Sequence, residues 1–209
     1  MQSGYKKFGS WKGIPLFFHW TLLLWLPWYW WTQRSLLWAC ITLVAFTALM
    51  LAHELGHAAA CRARRTKVYA IKLAAMHGQC EHDAACYERD DIFIAWGGVF
   101  AQAGVLVVAL VVQYASALFL PQMYYLLMPL FFVFIQVNIF MAIFNLIPVP
   151  PLDGHKAWRF LPPRYQRARA KISSYWQALK KALDFKGRRR AAKASQKVTY
   201  ELMERLRKK

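Results

Sequence analysis

Five consecutive residues, His53-Glu54-Leu55-Gly56-His57, have the types and the spacing to build a metal centre. On a helix, residues four apart point the same way, so both imidazoles can bind one ion. The glutamate one residue on reaches a metal-held water without itself being a ligand. Zn2+ lowers the pKa of such a water to about 7, and a carboxylate takes its proton. Between Arg34 and Arg62 the sole charged residue is Glu54. An ionisable group in so apolar a stretch is costly and marks a functional site.

A catalytic zinc takes three protein ligands and keeps one position open. The candidate for the third ligand is Asp153, in the run Asn145-Leu146-Ile147-Pro148-Val149-Pro150-Pro151-Leu152-Asp153-Gly154. Three prolines forbid regular helix there. Irregular backbone at membrane depth is tolerated where it lines a site or a wet cavity.

The elements that must position these residues read as membrane helices. The chain has 209 residues, 58% hydrophobic and 18% charged. Soluble domains run about 45–50% apolar and about 25% charged, so an ordinary soluble domain is excluded. So is a mainly disordered chain. Four cysteines are too few for a disulfide scaffold. A helix crosses the hydrocarbon in about 20 residues. Uncharged stretches place spans at about residues 14–31, 36–60, 92–119 and 124–146, with a turn near Pro121. The first stretch lacks a small-residue cleavage site and is expected to stay as a span rather than be removed as a signal. Spans two and four run in the same direction. Their C-terminal ends therefore meet at one depth, which brings Asp153 toward His53 and His57.

Loop charges orient the bundle. Lys6, Lys7 and Lys12 precede the first span. Arg62, Arg64, Arg65, Lys67, Lys72 and Arg89 lie between the second and third, and no Lys or Arg lies between the third and fourth. The positive-inside rule makes both termini and the long middle loop cytoplasmic. The net charge of +18 sits mostly in residues 155–209, where eighteen basic residues face Asp184, Glu201 and Glu204. A basic tail on an apolar body is expected to meet anionic lipid. No base-reading motif or aromatic-basic interleaving supports a nucleic-acid partner.

In the middle loop, residues 68–73 alternate like a strand and His77-Gly78 signals a turn, so a short hairpin is expected. In the tail, Ile172, Trp176, Leu179 and Leu183 stand at helical spacing and suggest a surface-lying helix or a partner contact. A second tail helix is expected at about residues 194–206. Trp25, Trp28, Trp30 and Trp31 read as an interfacial belt. His19 reads as a structural histidine within the first span. His77, Cys80, His82 and Cys86 have a spacing that matches no common zinc module, and Cys40 and Cys61 read as buried, reduced thiols.

HELGH at 53–57 and NLIPVPPLDG at 145–154 together resemble the site-2 protease family of intramembrane zinc metalloproteases, over roughly residues 13–155. Gly13-Ile14-Pro15 with His19 is similar to the first span of many members. The resemblance implies that His53, His57 and Asp153 ligate zinc and that Glu54 is the general base. It implies that Asn145 contacts the substrate backbone or polarises the scissile carbonyl. The sequence departs from the family at Gly98-Val99-Phe100-Ala101-Gln102, where members often carry Gly-Pro-x-x-Asn. It departs again at the hairpin, which lacks the double glycine of relatives. No PDZ-like insertion is present.

The expectation is an α-helical membrane protein. It has about four transmembrane helices, a short β-hairpin between the second and third, and a basic cytoplasmic helical tail. Residues 1–155 form the metalloprotease domain and 156–209 the tail. The expected activity is zinc-dependent hydrolysis of a peptide bond in or near the transmembrane segment of a single-span membrane protein, in the bacterial inner membrane. Two alternatives stand beside it. One is a different membrane zincin that takes Glu201 or Glu204 as its third ligand. The other is a non-catalytic zinc-binding scaffold, against which the presence of Glu54 argues.

Overall fold

The computed structural model describes residues 4–183. The chain forms two compact units that divide between Pro162 and Pro163.

The first unit opens with strands β1 (Tyr5–Trp11) and β2 (Ile14–His19). The two-residue loop between them, Lys12-Gly13, has positive φ at both positions, the geometry of a primed hairpin turn. A 3-10 segment, Trp20–Trp25, leads into the short helix α1 (Leu26–Gln33). Arg34, in the left-handed region, ends α1. The Ser35 side chain then accepts the Trp38 N–H and caps the long helix α2 (Leu36–Ala63). Strands β3 (Val68–Ala74) and β4 (His77–His82) follow, then α3 (Glu88–Phe119). Pro121 at its first turn starts α4 (Pro121–Phe131), which passes through a π-helical stretch, Phe132–Val137, into α5 (Asn138–Asn145). An irregular loop and the single-turn helix α6 (Gly154–Ala157) close this unit.

The first predicted span is corrected. Residues 14–31 do not form one helix. Ile14–His19 is committed to a sheet, antiparallel to β1 and parallel to β3. The α-helical part that remains has eight residues, about 12 Å, too short for a hydrocarbon core of about 30 Å. Among the described residues three helices are long and apolar enough to cross a membrane: Leu36–Ala63, Glu88–Phe119 and Pro121–Asn145. They coincide with the second, third and fourth expected spans, and the turn falls at Leu120-Pro121 as expected.

The sheet has the order β1-β2-β3-β4, with β3 and β4 antiparallel. The middle-loop hairpin is therefore part of a four-stranded sheet. Its turn is also corrected: Ala75 and Met76 make it, and His77-Gly78 begin β4. The Ala75 carbonyl accepts the Trp25 indole N–H at 2.7 Å, and its N–H reaches Thr21 Oγ1 at 3.2 Å. This contact takes Trp25 out of the expected belt, while Trp28, Trp30 and Trp31 stay exposed. Ile71 and Leu73 of β3 are fully buried with Met50 and Ala58 of α2, so the sheet lies along the C-terminal half of that helix.

Helices α2 and α3 touch through small residues. A Cβ on Gly56 would strike the Gly97 carbonyl and Ala101, and one on Gly97 would strike the Gly56 carbonyl and Ala60. Gly56/Ala60 and Gly97/Ala101 are each four apart, the pattern that lets membrane helices approach at backbone distance.

The second unit contains α7 (Pro163–Leu183). Ile172, Trp176 and Leu179 are exposed on it. The expected helix at 194–206, and with it Glu201 and Glu204, lies outside the described residues.

Candidate metal centre

Helix α2 brings His53 and His57 to one face, one turn apart, with both side chains buried. Their Nε2 atoms are 3.0 Å apart. Asp153, some hundred residues later, inserts Oδ2 at 3.0 Å from His53 Nε2 and 3.1 Å from His57 Nε2. These are the three groups that can converge on one ion among the described residues.

The outer nitrogens show which lone pairs are free. His57 Nδ1 lies 2.7 Å from the Ile94 carbonyl oxygen. A carbonyl only accepts, so Nδ1 donates and Nε2 of the neutral ring presents its lone pair. His53 Nδ1 lies 3.0 Å from Gln102 Oε1, and the same argument applies. An ionised carboxylate is acceptor-only. Three lone-pair donors about 3 Å apart, with no proton of their own between them, suit a cation. Two imidazoles and one carboxylate match the donor set of a catalytic zinc with a fourth position open. Gly98 completes the cradle, because a Cβ there would fall on the His53 and His57 rings. The residues therefore fit Zn2+.

Helix α3 supplies the supports. Ile94, Gly98 and Gln102 recur every four residues and share a face. The small-residue contact with α2 brings that face to the histidines. Gln102 is fully buried, and its own carbonyl accepts from Asn138 Nδ2 at 2.9 Å. Its neighbourhood in sequence was visible as a departure from the family pattern, yet nothing local marked it as the support of His53.

The Asp153 loop is held from several sides. Trp158 Nε1 donates to the Leu146 carbonyl at 2.6 Å, and Trp96 Nε1 to the Ala157 carbonyl at 3.1 Å. Asp91, at the start of α3, pairs with Lys156 at 3.3 Å and Arg159 at 3.4 Å. Gly154 has no room for a Cβ beside the Leu146 and Ile147 carbonyls. Asn145, the last residue of α5, brings Nδ2 within 3.4 Å of His53 Nε2, so it stands at the centre with the three ligand candidates.

Glu54 is buried and faces β4 rather than solvent. A Cβ on Gly78 would collide with its carboxylate, and the Cys80 backbone N–H is directed at it. The glycine read as a turn signal is needed instead for this approach.

Two side candidates resolve differently. His19 caps the 3-10 segment through Nδ1, at 3.3 Å from the Thr21 N–H and 2.8 Å from Thr21 Oγ1, and its ring packs on Tyr5. Of His77, Cys80, His82 and Cys86, whose spacing matches no common zinc module, His77 and Cys86 are exposed and Cys80 and His82 are half-buried. Contact with Cys61, together with burial, pushes the Cys80 thiol above its ordinary value, and contact with Cys61 raises His82. Cys61 is buried as expected, whereas Cys40 is exposed on the outer face of α2.

Comparison with known proteins adds two findings. The family model of peptidase family M50 matches residues 99–183, which include Asn145 and Asp153 but not the HELGH segment. No curated protein sequence matches the chain. Among solved structures, the fold is similar to that of the site-2 protease from Methanocaldococcus jannaschii, with a TM-score of 0.59 and 21% identity. The match covers 84% of this chain and 82% of that one. The structural match shows a shared fold, and the family model matches the part of the chain that runs from α3 into α7.

Proposed function

We propose that this chain, which carries the site-2 protease fold, is an intramembrane zinc metalloprotease acting on a peptide bond in or near a transmembrane segment of a membrane protein. The observation that carries this reading is the convergence of His53 Nε2, His57 Nε2 and Asp153 Oδ2 within about 3 Å, with Glu54 one residue from the first. His53, His57 and Asp153 would hold the zinc. Bound there, Zn2+ supplies Lewis-acid polarisation and lowers the pKa of a water in its open position.

Glu54 is the general base: its carboxylate takes the proton of the attacking water and returns it to the leaving amine. Asn145 offers an N–H from the rim of the centre to the scissile carbonyl oxygen, where charge develops. Strand β4 is a sheet edge, and its Cys80 N–H points toward Glu54. A locally unwound substrate that pairs with this edge presents its carbonyls beside the base. The helices α2, α3 and α4–α5 embed the site in a multi-pass membrane protein. Positive charge favours a cytoplasmic side for the loop between α2 and α3 and for the tail, release of a cytoplasmic fragment, and contact of the basic tail with anionic lipid.

The test is purification in detergent, elemental analysis for zinc, and cleavage of a panel of single-span proteins. Wild type is expected to hold one zinc and to cut. Glu54→Gln is expected to hold zinc and to lose cleavage by at least about 100-fold, the scale of general base catalysis. Asp153→Ala is expected to lose both. A wild-type protein that binds no zinc ends this reading.

A further inference from the structure

The sequence holds two asparagines, Asn138 and Asn145, and they are the first and last residues of α5. Seven residues of helix turn through nearly two revolutions and rise about 10 Å, so the two side chains share one face. That face is unlike the rest of α5. Ile139, Phe140, Ile143 and Phe144 are exposed, as suits a helix in lipid, and Asn138 is the one fully buried residue. A buried amide in an apolar bundle is costly unless its hydrogen bonds are made.

Both Nδ2 protons of Asn138 go to carbonyls. At the end of the π-helical stretch the Asn138 backbone N–H reaches back to the Val133 and Ile135 oxygens and passes over the Phe134 carbonyl. The Asn138 side chain takes that carbonyl at 3.1 Å. Its second proton goes to the Gln102 carbonyl of α3 at 2.9 Å. The first bond holds the side chain on its own helix, and the second hooks that helix to α3. From Gln102 the contacts continue. Its Oε1 lies 3.0 Å from His53 Nδ1 on α2, and His53 Nε2 lies 3.4 Å from Asn145 Nδ2. The path leaves α5 at Asn138, crosses α3 and α2, and returns to α5 at Asn145. A closed circuit of this kind fixes both the rotation and the height of α5 against His53.

We propose that Asn138 is a positioning residue: by hooking α5 to the Gln102 carbonyl, it holds the Asn145 amide beside His53, ready for the scissile carbonyl. Without the hook, half-buried apolar contacts such as those of Met141 are left to set the rotation of α5. At about 5 Å from a helix axis, a turn of about 10° carries an amide about 1 Å. A misplacement of about 1 Å can cost about 100-fold in rate. The metal ligands do not depend on the hook. Ile94 and Gln102 of α3 hold the two histidines, and the Asp153 loop is tied to α3 through Trp96 and Asp91. The consequence for cleavage rests on the protease reading, whereas the placing of Asn145 by Asn138 does not.

The test uses the full chain in detergent, made with isotope-labelled asparagine and observed by NMR. Asn138→Leu removes both side-chain bonds. Asn138→Ser keeps a hydroxyl that can bond the Phe134 carbonyl four residues back but is too short for Gln102. It reads the hook alone, and it serves should the leucine variant fail to fold. In either variant Asn145 is the one labelled residue left. Wild type is expected to show a nuclear Overhauser contact between the Asn145 amide protons and the His53 ring, and both variants to lose it. Absence of the contact in wild type, or its persistence in either variant, overturns the placing whatever the protein's activity. Cleavage gives the second reading. Asn138→Ser is expected to lower kcat about 10- to 100-fold, with KM and zinc content nearly unchanged. In an Asn145→Ala background the same substitution is expected to cost less than about twofold, because the group it positions is already gone. An unchanged kcat, or an equal loss in both backgrounds, overturns the catalytic consequence. A wild-type chain that holds no zinc and cuts nothing, yet shows the contact and loses it in the variants, ends the protease reading and leaves the placing in force.

Discussion

Gln102 differs from its neighbours in what its side chain can do, because its oxygen fixes one ring of the metal centre. With Nδ1 of His53 donating to Gln102 Oε1, the ring cannot rotate without leaving a buried donor unpaired. Gln102→Leu removes the acceptor. Its zinc affinity is expected to fall about 10- to 100-fold in a chelator-competition titration, whereas Gln102→Glu, which keeps an acceptor oxygen, retains more of it. Gly78 acts on the other group. Gly78→Ala places a methyl on the Glu54 carboxylate, so cleavage is expected to drop while elemental analysis still finds one zinc. Loss of zinc in that variant would show that Gly78 supports the metal ligands instead of the base.

Helix α3 serves as the scaffold of the centre, and the seam it forms with α2 decides whether the ligands converge. Gly97 has backbone on its far side, while Gly104, seven residues along the same helix, has open space around it. The two glycines therefore make a matched pair. Gly97→Ala is expected to destabilise the protein by about 1–3 kcal/mol, the usual scale of overpacking. Gly104→Ala is expected to be neutral or to stabilise by up to about 1 kcal/mol, since alanine favours helix. Thermal unfolding in detergent reads both. Equal shifts would show that the seam is not under contact. The π-helical stretch before α5 also belongs to this scale. It lies beside Asn138, which ties α5 to the Gln102 carbonyl, and α5 ends at Asn145 in the centre.

Across the molecule, the candidate ligands join two separate pieces of chain, α2 and the loop after α5, against the supporting face of α3. A bound ion therefore stabilises the folded bundle by mass action. At free zinc about a thousandfold above its Kd this amounts to about 4 kcal/mol, or roughly 10 °C in melting temperature for a chain of this size. Stripping the metal with a chelator is expected to lower the melting temperature by that order, and adding zinc back to restore it. Glu54→Gln, which keeps the ligands, is expected to show the same shift, and Asp153→Ala little of it.

The sequence alone determined the two motifs and the donor residues they hold, three of the long helices and the basic character of the tail. These signals are local: a four-residue spacing on a helix, an uncharged run of spanning length, prolines that bar helix before Asp153. Tertiary structure decided what depends on distant partners. Residues 14–19 look as apolar as a span, yet they pair with β1 and β3, because strand hydrogen bonds satisfy that backbone. His77-Gly78 looks like a turn, yet Gly78 is a strand residue whose missing side chain admits Glu54. The meeting of Asp153 with the histidines follows from topology, but its rigidity comes from Trp96, Trp158 and Asp91 across the bundle. Gln102 stands out in the sequence only as a departure from the family pattern; its hold on His53 is set by how two elements far apart in the chain pack, and periodicity along one element carries no information about which face of another it will meet.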